Sequence, residues 1–140
     1  MHNLSVNRSL KEKSFCLIDH ALGRPIDPMK ESYRNYFCAN TGGDYVAAFS
    51  KSPHWEEGHR GERSVYFHVS DVGRAALARH LREIKSPHRA YRVVCNGWDQ
   101  VLIATSHAKA RYSVFLDMSE GDDDMTFKKF MELRPSVRLA

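Results

Sequence analysis

The chain has 140 residues, 42% of them hydrophobic and 27% charged, close to globular averages, so disorder is not the default. Its formal net charge is +4 with a pI near 9.1, which tilts towards acidic partners such as nucleic acid without selecting one. No apolar run approaches the roughly 20 residues that cross a bilayer, and the opening MHNLSVNRSLKEKSF lacks the apolar core of a signal peptide, so the expectation is a cytoplasmic protein with no membrane partner.

Leu10, Leu17, Ile18 and Ala21 recur at helical spacing and predict a helix from about Ser9 to Leu22, stopped by Gly23 and Arg24-Pro25. Asp27-Pro28 supplies a cap and a first-turn proline, so a short second helix is expected through MKESYRNYF, residues 29–37. Residues 39–43 read as a turn. Asp44 then caps a third helix whose apolar side is Tyr45, Val46 and Phe49 and which Pro53 ends.

HWEEGHRGER forms one arm and the tip of a hairpin, and Arg63 to Val69 the other arm, with Val65, Phe67 and Val69 alternating against Ser64, Tyr66 and His68. Ser70 or Asp71 caps the helix that follows. Val72, Ala76, Leu77, His80, Leu81 and Ile84 fall on its apolar half, and Arg74, Arg79, Arg82 and Lys85 on the other.

Ser86-Pro87-His88 is the expected internal boundary. Beyond it, YRVVC and QVLIATS are strands joined through Asn96-Gly97, a tight-turn signal. Ser106 caps a helix with an apolar stripe at Ala108, Tyr112, Phe115 and Leu116. The acidic loop EGDDD follows and caps a short helix around Phe127, Phe130 and Met131, and Ser136 to Leu139 closes as a strand. Together these elements predict an α+β protein: a winged-helix-like unit with a β-hairpin at residues 1–86, then a small ββααβ unit at residues 87–140, packed as one body.

A search for chemistry yields no catalytic or metal site and no cofactor. Gly42-Gly43 lacks the lysine and hydroxyl of a phosphate loop, and no nucleophile elbow, HExxH or paired-cysteine motif is present. Cys16, Cys38 and Cys95 read as small buried hydrophobes. His54, His59 and His68 share a hairpin, but nothing fixes a fourth ligand for them. His80 reads as a core histidine, His20 and His107 have no visible partner, and Asp122 to Asp124 read as a solvated loop rather than a cation site. Basic and aromatic residues are mixed at Tyr33 to Phe37, at Arg63 with Tyr66 and His68, and at Lys109, Arg111 and Tyr112; such mixtures suit phosphates and bases.

HALG at 20–23, YRNYF at 33–37, Gly42-Gly43-Asp44 and YFHVSDVGRAAL at 66–77 resemble a group of small uncharacterised phage and prophage proteins. The tail, ATSHAKARYSVFLDM with TFKKFMELRPSVR, resembles a second phage module found beside it. The likeness covers about residues 18–138, and its motifs assign no catalytic residue. It departs from the group at SKSPHWEEGHR, where an apolar tract with a glycine-leucine pair is usual.

The resemblance implies a protein that works by binding rather than as an enzyme, an inhibitor of a host nucleic-acid-handling defence complex in the manner of anti-CRISPR proteins. Its expected partner is a host protein or nucleoprotein complex, with DNA possible. The residues expected to make contact are Arg34, Tyr36, Arg60, Arg63, Tyr66, Arg74, Arg79 and Arg82, and a winged-helix DNA-binding regulator is the alternative. The candidate recognition helix, Asp44 to Lys51, offers no arginine, asparagine or glutamine for base edges. A second alternative is an enzyme with a site assembled from distant residues.

Overall fold

The computed structural model describes residues 3–140, which form five α-helices and two three-stranded antiparallel sheets, a mixed α+β architecture. The chain divides into a first unit ending at Ser86 and a second from Pro87 to Ala140. No helix among the described residues is long and apolar enough to cross a membrane.

The first unit runs α1 (Lys13–Leu22), β1 (Phe37–Asn40), α2 (Asp44–Lys51), β2 (Trp55–Arg60), β3 (Ser64–Val69) and α3 (Asp71–Glu83). Its sheet has the order β1-β3-β2. Strict alternation in β3 buries Val65, Phe67 and Val69, and the register sets Phe37 opposite Phe67 and Trp55 opposite Val69. All three helices cover this one side: Ile18, Leu22, Phe49, Leu77 and Leu81 join the strand residues in a single core. Phe49 stacks on Trp55 at 4.0 Å and meets Phe67 edge-on at 5.3 Å. Each such side chain stabilises the unit by about 1.5–3 kcal/mol. At the junction of β3 and α3, the Ser70 hydroxyl accepts from Gly73 N at 3.1 Å and donates to the Pro53 carbonyl at 2.6 Å, so one side chain caps the helix and fastens the chain entering β2.

The second unit runs β4 (Arg89–Cys95), β5 (Trp98–Ala104), α4 (His107–Glu120), α5 (Phe127–Glu132) and β6 (Ser136–Leu139), with sheet order β5-β4-β6. Asn96 and Gly97 both take positive φ, 46° and 86°, which the tight turn between β4 and β5 demands. Tyr91, Val93 and Cys95 face inward and pack with Ala110, Val114 and Phe130. Ser106 caps α4 and Thr126 caps α5 through hydrogen bonds of 3.1 and 3.2 Å, so α5 is capped by a hydroxyl and not by the acidic loop.

Three further expectations need correction. No helix forms at 29–37; the segment is irregular up to β1. Polar groups in it and just before it bond elsewhere: the Arg74 guanidinium takes the Pro28 and Lys30 carbonyls at 3.1 and 2.9 Å, Asn3 takes those of Asp27 and Glu31, and the Asn35 side chain bridges both backbone groups of Val69. Helix α1 begins at Lys13 rather than Ser9, although Leu10 still reaches the core. The buried faces of α3 and α4 are also rotated from expectation. In α3, Gly73, Leu77, Ala78 and Leu81 are buried, while Val72 and Ile84 are 55% and 49% exposed. A Cβ at Gly73 would lie 2.4 Å from the His54 carbonyl, so the missing side chain is what lets this face press closest. In α4 the small residues Ala110 and Val114 go inward, and Tyr112 and Leu116 stay out.

Candidate binding face of the first sheet

Because the helices of the first unit all lie on one side of its sheet, the outward residues of β1 and β3 meet no helix of that unit. Cys38 pairs with Tyr66 and Asn40 with Ser64 across the two strands, and His68 faces Glu56 on β2. Tyr66 is 38% exposed and Tyr36, which leads into β1, is 49% exposed; their ring centroids lie 6.2 Å apart at 53°. The His68 ring lies over Gly58, where a Cβ would come within 2.6 Å of Nε2, and its Nδ1 sits 2.7 Å from the Asn35 carbonyl.

The end of α1 builds one margin of this face. Gly23 closes the helix with φ 80°, and a Cβ there would collide with the Tyr33 ring at 2.2 Å. Glycine is therefore required twice, for the left-handed turn and for the ring above it. The neighbouring Arg34 donates Nε to the His20 carbonyl at 3.1 Å, and its Nη2 donates to the same oxygen. Its guanidinium stands 5.6 Å from the Tyr33 ring centroid and 5.9 Å from that of Tyr36. The HALG and YRNYF segments thus touch each other. Between them and β1 lies a surface cavity of about 310 Å³ lined by His20, Arg34, Tyr36, Phe37 and Cys38.

Burial, with the guanidiniums of Arg34 and Arg24, holds the His20 imidazole below its ordinary value of 6.5. Tyr66 titrates above the usual tyrosine value, chiefly through a hydrogen bond with the Cys38 side chain. The lowered value favours the neutral imidazole of His20 beside the Arg34 cation, and the raised one favours the neutral phenol of Tyr66.

Of the eight residues expected to make contact, the fold gathers Arg34, Tyr36 and Tyr66. Arg63 lies at the hairpin end of the same sheet, exposed, with its carbonyl accepting from Thr41 N. Arg60 is tied to Glu57, Nε to Oε1 at 2.6 Å. Arg74 is occupied by the 28–32 loop, its Nη2 also donating to the Ser32 hydroxyl. Arg79 and Arg82 are exposed on α3; that helix packs on the covered side of the sheet, so they face away from the aromatic face.

Sequence reasoning missed His20 as a partner of Arg34, and it placed Cys38 in a core. Cys38 is exposed because β1 alternates and Phe37 and Ala39 take the inward positions. Cys16 is half-buried and Cys95 buried. His80 stacks on Phe15 at 4.2 Å, with Glu12 3.9 Å from its Nδ1. Among the described residues, no group of three or more histidines, cysteines and acids is placed to hold a metal ion. No family model, curated protein or solved structure matches the chain.

Proposed function

We propose that the chain is a phage-type accessory protein that acts by stoichiometric binding, docking the open face of its first sheet on a host nucleic-acid-handling defence complex and inhibiting it. The observation that carries this reading is the set Tyr33, Arg34, Tyr36 and Tyr66, exposed rings with an arginine fixed between two of them. Tyrosine and arginine are the residues that dominate binding energy at interfaces. The double hydrogen bond to the His20 carbonyl already orders the Arg34 side chain, which lowers the entropy lost on association.

The first unit is read as winged-helix-like in the sense that β1 joins a β2–β3 hairpin with helices on one side, and the second as a ββααβ module. A helix-in-groove use of the first unit draws little support. Helix α2 turns Asp44, Ala47, Ala48, Ser50 and Lys51 to solvent, and the hairpin sets Glu56, Glu57 and Glu62 against Arg60 and Arg63, which leaves it no net positive charge for a duplex backbone.

The test is capture of a defence effector by the tagged chain from nuclease-treated host lysate, followed by titration of that effector's cleavage activity. Inhibition complete near one equivalent, and lost in a Tyr36→Ala/Tyr66→Ala variant that remains folded, is the expected result. Inhibition that survives the double variant refutes the placement on this face, and absence of any inhibited effector refutes the function.

A further inference from the structure

Resting on that binding reading, we infer that the ligand of the open face is a short stretch of single-stranded nucleic acid, with bases stacked on Tyr36 and Tyr66 and phosphates meeting Arg34 and Arg63. The composition of the face selects this occupant. Its outward residues on β1 and β3, with Tyr36 at their head, are Tyr36, Cys38, Asn40, Ser64, Tyr66 and His68. None is aliphatic. Tyrosine rings on a polar sheet are the surface on which unpaired bases stack.

The geometry fits a strand rather than a duplex. At 6.2 Å and 53° the two rings do not eclipse each other, so each keeps surface for a base. Paired bases in a duplex have their faces covered by neighbours and cannot use it. Cations stand at both ends of the row. Arg34 spends Nε and Nη2 on the His20 carbonyl, and among the described residues Nη1 has no acceptor. At the other end, Thr41 N bonds the Arg63 carbonyl at 3.0 Å. From Tyr36 to Thr41 an extended chain spans roughly 17 Å, and a sheet of this kind stacks about two or three bases.

Charge also sets the path. On the β2 margin Arg60 and Glu57 cancel in an ion pair, which leaves Glu56 opposite His68 as the uncompensated charge, so phosphates are repelled from that side and the strand follows β1 and β3.

The experiment is fluorescence anisotropy of the full chain with labelled oligo-dT and oligo-U of about twelve nucleotides and with a duplex of like length. Both single strands bind, the duplex binds at least about tenfold more weakly, and the comparison of dT with U reports whether the sugar is read. Tyr36→Ala and Tyr66→Ala each weaken binding on the order of 5- to 150-fold, while Tyr36→Phe and Tyr66→Phe retain it because the ring face remains. Arg63→Gln lowers the salt slope by about 0.7, and Glu56→Gln tightens binding. No binding at low salt, equal binding of duplex, or binding indifferent to both tyrosines overturns the inference. If the oligonucleotides fail but the effector is still inhibited, and inhibition needs Tyr36 and Tyr66, the face docks protein instead; if both fail, the binding reading falls with it.

Discussion

Removing Arg8 should do more damage than removing any other cation of the first unit. Its guanidinium makes two bonds to Asp19, Nε to Oδ2 at 3.0 Å and Nη2 to Oδ1 at 2.6 Å, and Nη2 also donates to the Pro25 carbonyl at 2.9 Å. The two side chains are only 6% and 2% exposed. Arg8→Ala leaves a carboxylate buried without a counter-charge, which costs about 3–5 kcal/mol, against a whole-domain stability of about 5–15 kcal/mol. For a unit of this size that lowers the melting midpoint by at least about 12 °C. The double variant Arg8→Met/Asp19→Leu removes both charges and should recover most of the loss, short of about 1 kcal/mol for the orphaned Pro25 carbonyl. In a Trp98→Phe background, fluorescence of the buried Trp55 reports the first unit alone. If Arg8→Ala shifts stability by less than about 0.5 kcal/mol, as surface changes do, or if the double variant is as unstable as the single, then the pair is not a buried, coupled one.

Gly73→Ala should destabilise the first unit by about 1–3 kcal/mol, because the new Cβ would meet the His54 carbonyl at 2.4 Å and Val69 Cγ1 at 2.8 Å; Gly42→Ala, with nothing within 4 Å, serves as the neutral control in the same chemical denaturation. Phe130 is fully buried in the second unit, so Phe130→Ala should cost about 3–5 kcal/mol there, read by Trp98 fluorescence in a Trp55→Phe background. His20 should titrate below 6.5 by NMR, since burial and the Arg34 and Arg24 cations disfavour its protonation, and Arg34→Gln should move the midpoint upward. The linkage sign is that of a lowered pKa: the unfolded chain takes the proton more readily, so this group's contribution is complete above pH 6.5 and is lost as pH falls below it. A His20 midpoint at or above 6.5 would contradict the contact with Arg34.

Some features were readable because their causes are local. The alternation of Val65, Phe67 and Val69, the Ser70 cap, the Asn96-Gly97 turn and the glycine after Leu22 each act over four or five residues, and the structure places strand, helix or turn at each. The segment at 29–37 failed because its competitors are distant: Asn3, Arg74 and the backbone of Val69 claim polar groups of Lys30, Glu31 and Asn35 from 27 to 44 positions away. The candidate face was half visible. Tyr36, Tyr66 and Arg34 stood out by residue type, but the same criterion chose Arg74, which the fold spends on a loop.

By itself, then, the sequence determined the α+β class and the local punctuation of its elements, since periodicity, caps and turn residues act through neighbouring backbone groups. The tertiary structure alone decided which sides of α3 and α4 go inward, that Cys38 lies outside, and that His20 and Gly23 hold Arg34 and Tyr33. Those outcomes depend on which surfaces can approach most closely, and a glycine such as Gly73 or a small pair such as Ala110 and Val114 wins that contest by what it lacks, which hydrophobic patterning does not register.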